Sequence, residues 1–461
     1  IALGTIVPDN KKIHVVILSD GYDQDPYTDQ NGNVVNPRQN FADDFLDLVN
    51  TLKVTTPFKE YESYFTFYAF KTISTRGVEH PRSTPVFCPG TCTQCNTAVP
   101  NDETLMPANT NTPSFGSSLD NFGIHRGLAS DVDLVNSFVA DYFGANNPNV
   151  VVIVLDNLTE RAGTANIPNR IANISGRYTQ DLNGGDEQGG VHEFAHAFAG
   201  LQDEYYFACP DCFGFDCSTF NIAPNRFEGP LTVPLVAPPI TSLPWKHWFL
   251  DENDNLISPP ITTTPPIGNI PFTGAYPAPI NIRKPCDTSC KMFNELNNSF
   301  CAVCREASIE RIHGLVSPIN SYTPSNNNAQ VFPISSSQSF EVNLTIPVRT
   351  AFVNDFASMV VNWSILDESG TNTIESIQQV VPTITPVVPS AAIYKFIDPT
   401  HASISDWFAG KEAGNYQIKV EVYDRAGLSE DLADNTRWVR DPLHDDHKYY
   451  IVWNVYYNGI P

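Results

Sequence analysis

His192-Glu193-Phe194-Ala195-His196 sets two imidazoles four residues apart, with a carboxylate directly after the first. Four residues is about one turn of helix, so both rings can face one cation, as in zinc hydrolases. Glu193 falls one step round the helix, where its carboxylate can meet a water on the metal instead of the metal itself. Zinc brings the pKa of such a water toward about 7 and polarises a carbonyl; the carboxylate can then accept the water's proton and hand it to a leaving amine. The chemistry implied is peptide-bond hydrolysis, with His192 and His196 as ligands and Glu193 as general base. The competing reading is a core helix with two satisfied histidines. It requires Glu193 to find a partner without a metal, and unpaired buried charge is costly.

A catalytic zinc takes about three protein ligands and keeps one position open. The longer pattern H-E-x-x-H-x-x-G-x-x-H would place a third histidine at position 202, which is glutamine. Gly200 stands four residues after His196, where a residue free to adopt the left-handed conformation ends a helix. Three residues beyond it is Asp203, so the glycine-to-ligand distance of the longer pattern is kept and the ligand changes from imidazole to carboxylate. Glu204 competes through its longer side chain, and spacing favours Asp203. Tyr205 and Tyr206 are packing residues or phenol donors to a developing oxyanion.

The elements that must carry this helix read as an α/β domain. Residues 13–18 (IHVVIL) form a short β-branched run that breaks at Ser19-Asp20-Gly21-Tyr22. Phe41, Phe45, Leu46, Val49 and Leu52 then follow at helical spacing. Residues 64–72 read as a second strand, 124–143 as a second helix and 149–157 as a third strand. This β-α-β-α-β order predicts a mainly parallel sheet covered by helices. Residues 171–178 add a strand just before the metal helix. Either it is an edge on which an extended substrate pairs through its backbone, or it is simply the sheet's last strand.

Two insertions, about 80–118 and 209–285, carry cysteines among Pro and Thr and read as stapled surface loops. Beyond about residue 320 the pattern changes. Residues 339–348, 358–366, 415–423 and 448–457 alternate apolar with polar side chains, predicting a β-sandwich. The domains expected are therefore 1–320 and 321–461.

Composition sets the outer limits. The 37 prolines are about 8% of the chain, above the usual share of about 5%, and predict long stiffened loops. A net charge of -24 repels phosphate backbones and anionic lipid, so nucleic acid and membrane surfaces are disfavoured as partners. No apolar run reaches the roughly 18 residues of a membrane span. The chain starts at Ile1 with neither an initiator methionine nor a basic-then-apolar leader, which decides nothing about a signal peptide.

Ten cysteines fall in three clusters: Cys88, Cys92 and Cys95; Cys209, Cys212 and Cys217; and Cys286, Cys290, Cys301 and Cys304. Their even number favours disulfides in an oxidising compartment; a structural zinc on a C-x-x-C pair such as Cys301 and Cys304 is the alternative. Residues 23–33 (DQDPYTDQNGN) could wrap Ca2+ with their oxygens, though the spacing fails the EF-hand loop and Asn31-Gly32 equally suits a tight turn.

Taken together, His192-Glu193-x-x-His196-x-x-x-Gly200-Leu201-x-Asp203-Glu204-Tyr205 resembles the IgA peptidase M64 family, bacterial zinc metallopeptidases related to the metzincins. Ser19-Asp20-Gly21-Tyr22 is similar to that family's Gly-Asp-Gly-Tyr, and Pro57-Phe58-Lys59-Glu60-Tyr61 to its Pro-Phe-Lys-x-Tyr. Cys290-Lys291-Met292 and Phe300-Cys301-Ala302-Val303-Cys304 match its Cys-x-Met and Phe-Cys-x-Val-Cys segments, so the resemblance covers roughly residues 1–315. It departs at Ser19, where glycine is usual, and at Phe293, where arginine is common.

The resemblance implies a zincin-like catalytic domain, a Met-turn at Met292, and His192, His196 and Asp203 on Zn2+ with Glu193 as the base. It also implies an immunoglobulin-like C-terminal sandwich, and a secreted, periplasmic or cell-surface bacterial endopeptidase acting on extracellular proteins. It does not name immunoglobulin A as the substrate. The rival from another class is a surface adhesion or glycan-binding protein that keeps the zincin fold as a scaffold.

Overall fold

The computed structural model describes residues 10–22, 27–28, 34–35, 41–72, 115–117, 128–157, 163–176, 188–204, 223–225, 227–229, 243–248, 268–269, 281–285, 290–293, 299–325, 331–334, 339–347, 357–382, 391–395, 407–424 and 448–459. Among them the chain is mixed α/β with several sheets and divides into two compact units. One holds the described residues up to Lys59 and from Phe65 to Arg311; the other holds Glu60–Tyr64 and the described residues from Ile312 onward. The last division between the units falls at 311/312, and the second unit includes a piece of chain from far upstream.

The first unit is built on a five-stranded sheet of β1 (Ile13–Asp20), β2 (Phe65–Phe70), β3 (Val150–Asp156), β4 (Gly163–Asn166) and β5 (Ile171–Ser175). Their order is β2-β1-β3-β5-β4; the first four are parallel and β4 runs antiparallel to β5. Every residue of β1 and β3 is buried, as expected of parallel strands covered on both faces. The helices are α1 (Phe41–Val54), α2 (Val132–Phe143) and α3 (Gln188–Ala199). Asp131 caps α2, accepting from the Asp133 and Leu134 amides, and Val135, Val139 and Phe143 of that helix share a core with Val16, Val152 and Ile171.

The segment expected at the edge is interior. β5 lies between β3 and β4 with all five residues buried, and the edge belongs to β4. The sequence GTAN of β4 has no apolar alternation, so nothing in it signals a strand; the ladder to β5 forms it.

Ser19-Asp20-Gly21-Tyr22 closes β1 with a set of anchors. The Asp20 carboxylate accepts from the Phe115 and Ser117 amides and from the Ser117 hydroxyl at 2.6 Å. Tyr22 donates to Asp44 of α1 at 2.5 Å.

The second unit contains two sheets around one core. The smaller is β6 (Ile319–Thr323), β8 (Glu341–Thr345) and β11 (Ala391–Lys395); the larger is β7 (Val331–Pro333), β9 (Ala357–Leu366), β10 (Thr373–Pro382), β12 (Gly414–Asp424) and β13 (Tyr449–Tyr457). Val342 and Leu344 from the first meet Trp363, Val420 and Trp453 from the second, all fully buried. The four strands expected here form, and the structure adds β6, β7, β10 and β11.

The sequences proposed for calcium lie mostly outside the described residues, although Tyr27–Thr28 and Val34–Val35 pair antiparallel. Seven of the ten cysteines also lie outside them. The three that are described, Cys290, Cys301 and Cys304, form no disulfide, contrary to the expectation for that cluster. Among the described residues, no helix is long and apolar enough to cross a membrane.

Candidate metal centre

α3 packs on β4 and β5. Its approach to α1 is close: a Cβ on Gly190 would stand 2.8 Å from Leu48 Cδ1. Phe194 and Phe198 bury one face against Phe58, with ring centroids 5.1 and 5.9 Å apart. That edge-on contact gives the Pro-Phe segment at 57–58 a physical role, because it fixes the back of the helix whose other side carries the histidines.

Both imidazoles are buried and both commit Nδ1 to a backbone carbonyl: His192 to Lys291 O at 2.9 Å, His196 to Leu201 O at 2.6 Å. A carbonyl only accepts, so each Nδ1 carries the hydrogen and each neutral ring turns its Nε2 lone pair outward. The two Nε2 atoms point at each other across 3.0 Å, and Asp203 Oδ1 lies 2.9 Å from one and 3.2 Å from the other. Three lone-pair atoms in so small a triangle repel unless something positive sits among them. The edge of a tetrahedron with zinc bonds of about 2.0 Å is about 3.3 Å, so the donor set fits a zinc ion with little adjustment.

Without a metal the positive charge must be a proton. Burial by itself lowers the His192 pKa, but the hydrogen bond and charge of Asp203, helped by Glu193, outweigh it and hold that ring at about 9. Asp203 is held well below the usual carboxylate range: burial pushes it up, and the two imidazoles pull it down further.

Asp203 reaches this place because the helix stops on time. Gly200 takes φ 67°, its amide bonds the His196 carbonyl at 3.0 Å, and the chain turns back toward the rings. Asn225 clasps the turn, accepting from the Gln202 amide at 2.9 Å and donating to the Gln202 carbonyl at 2.8 Å. The next residue, Glu204, points elsewhere. Its amide bonds the Met292 carbonyl at 2.8 Å and its carboxylate meets Cys304 Sγ at 3.1 Å. The choice left open between Asp203 and Glu204 is thus divided by the structure: the first joins the histidines, the second joins three cysteines.

Cys290–Phe293 forms a tight turn, closed by Phe293 N on Cys290 O at 3.0 Å. It delivers the Lys291 carbonyl to His192, with the Met292 side chain fully buried. Glu193 is also buried, 8% exposed, and its charge acts on His192. Tyr205 and Tyr206 lie outside the described residues.

Spacing on one helix pointed to His192, Glu193 and His196, and glycine spacing to Asp203; the structure brings His192, His196 and Asp203 together. Asn225 and the carbonyls of Lys291 and Leu201 gave no signal, since a backbone acceptor looks the same in every sequence. No protein-family model matches this chain, and no curated protein does. The resemblance to the M64 pattern therefore rests on its motif residues alone.

Proposed function

We propose that the chain is a zinc-dependent endopeptidase of zincin-like type, related to the M64 peptidases, exported by a bacterium and carrying an immunoglobulin-like sandwich as its second unit. The single observation that carries this reading is the triangle of His192 Nε2, His196 Nε2 and Asp203 Oδ1, with both Nδ1 atoms already engaged. When bound there, zinc supplies a Lewis acid that polarises the scissile carbonyl and acidifies water near neutral pH.

The residues of the chain do the rest. Glu193 takes the proton of the attacking water and returns it to the leaving amine. The Lys291 and Leu201 carbonyls hold the two rings in the tautomer that leaves Nε2 free. β4, with one side paired to β5, offers its other side to an extended peptide; a Cβ on Gly200 would lie 3.9 Å from Ile167, the residue just past that strand.

The test compares wild type with Glu193→Ala on an unbiased peptide library, with cleavage sites read by mass spectrometry and metal content measured in parallel. Zinc in both proteins and cleavage by wild type alone support the reading. A zinc-loaded wild type that cuts nothing beyond what the variant cuts overturns it and favours the adhesion alternative.

A further inference from the structure

Glu204, Cys290, Cys301 and Cys304 come from three stretches of chain, and their ligand atoms all lie within 4.8 Å of one another. Glu204, Cys290 and Cys304 are buried and Cys301 is half-buried. We propose that these four side chains hold a second, structural divalent cation, zinc by the softness of three sulfur ligands, separate from the histidine site.

Four donors is the closed tetrahedral set of a structural zinc, with no position left for substrate. Zinc–sulfur bonds of about 2.3 Å put tetrahedral sulfurs about 3.8 Å apart. Cys290 Sγ and Cys304 Sγ stand 3.6 Å apart, far from the roughly 2.05 Å of a disulfide. Glu204 Oε1 lies 3.1 Å from Cys304 Sγ and 3.8 Å from Cys301 Sγ, again the separation of atoms sharing a central ion.

The surroundings act on the sulfurs in both directions: burial pushes the Cys304 thiol well above its usual range, while two local dipoles work the other way. The Cys301 amide donates to Cys290 Sγ at 3.3 Å, a bond that stabilises thiolate over thiol. Cys304 sits in the first turn of α4 (Ala302–Leu315), where the helix dipole favours a negative sulfur. Asn225 Nδ2 donates to Glu204 Oε1 at 3.2 Å, orienting the carboxylate as outer hydrogen bonds do at metal sites.

The position gives the ion a purpose. Glu204 follows Asp203, and Cys290 precedes Lys291, whose carbonyl orients His192. A cation binding both stretches would pin the turn that supplies the third ligand to the turn that supplies the orienting carbonyl.

The test uses the full chain, purified under reducing conditions, with metal counted by mass spectrometry and zinc replaced by cobalt. Wild type is expected to hold about two ions, and His192→Ala/His196→Ala about one. That remaining ion, loaded with cobalt, should show the intense near-ultraviolet absorption of thiolate-to-cobalt charge transfer, and adding Cys290→Ser should abolish it. Should the cysteine variant fail to fold, alkylation of the native wild type replaces it: Cys290, Cys301 and Cys304 should react only after chelation.

A Cys290–Cys304 disulfide in the peptide map, no metal in the histidine variant, or a sulfur-bound ion that survives Cys290→Ser would each overturn the proposal. The two readings fail separately. A wild type that cleaves nothing yet keeps its thiolate-bound ion refutes only the peptidase, and a working peptidase with one ion refutes only this site.

Discussion

Two of the clusters that set imidazole beside carboxylate in this protein are built to opposite ends. In the second unit, Asp424 is 2% exposed and accepts both His313 Nε2, at 2.9 Å, and the Tyr61 hydroxyl. Tyr449 donates to the His313 and Val316 carbonyls alongside. The Asp424 oxygen faces two hydrogens, and the two carbonyls share the one of Tyr449. In the first unit, the Asp203 side chain is 32% exposed and faces two ring nitrogens whose own hydrogens are turned away to Lys291 and Leu201. Residue types hardly differ between the two. What differs is the count of hydrogens against lone pairs: in the first cluster two ring nitrogens and a carboxylate oxygen turn toward one another. A hydrogen-bond network sealed from water holds a fold together, whereas converging lone pairs open on a side are suited to an ion and a reaction.

The sharpest break in this comparison is Glu193→Gln, which keeps the size of the side chain and removes its basicity. Peptidase turnover should fall by about 10²–10⁴, the range for losing a general base, with zinc content and thermal midpoint unchanged. An equal loss of stability in the Gln variant would mean that Glu193 is structural.

The same substitution made in both clusters comes next. Asp203→Asn should cost the histidine-bound zinc on dialysis against a weak chelator and leave the urea midpoint of the metal-free protein nearly unchanged. Asp424→Asn should do the reverse: full metal content, with a stability loss of about 1–3 kcal/mol from a weakened buried hydrogen-bond pair. Urea titration followed by tryptophan fluorescence reads the second, since Trp363 and Trp453 lie in that core. If Asp424→Asn empties the metal site, the contrast between the clusters is wrong.

How much of this could be read beforehand follows from distance along the chain. His192 and His196 are four residues apart and Asp203 is seven beyond, so helix geometry and one glycine suffice. Tyr61 and Asp424 are 363 residues apart, and neither lies in a pattern that names the other. The cysteine cluster fell between these cases. The C-x-x-C of Cys301 and Cys304 admits zinc as an alternative to disulfides, but no spacing joins Glu204 to it. Past the end of a helix, successive side chains have no fixed angular step, so spacing cannot say that Asp203 and Glu204 diverge. β4 was missed for a related reason: GTAN is a strand because β5 pairs with it, and pairing is not written in either segment alone.

A third buried acid tests what the histidine contributes. Asp44 accepts the Tyr22 hydroxyl at 2.5 Å, as Asp424 accepts Tyr61, but its other oxygen has no hydrogen-bond partner among the described residues and no imidazole adjoins it. A Cβ on Gly176 would come within 2.5 Å of its Oδ2, so the pocket is tight. Burial raises the Asp44 pKa to about 6, the charges of Asp47 and Asp43 adding to the rise and the Tyr22 bond opposing it. A carboxylate whose folded pKa lies above its unfolded one binds more protons folded than unfolded between the two values. Its contribution to stability is therefore complete below about pH 4 and is lost as pH climbs through about 6. Asp44→Asn cannot ionise and keeps an oxygen for Tyr22; its new amide adds a cost that does not vary with pH. The difference in thermal midpoint, variant minus wild type, should accordingly rise by a few degrees from pH 4 to 7 and then level off, whatever its starting sign. A flat difference would mean that Asp44 ionises in the folded protein as easily as in the unfolded one, and that a buried acid here needs no histidine to balance it.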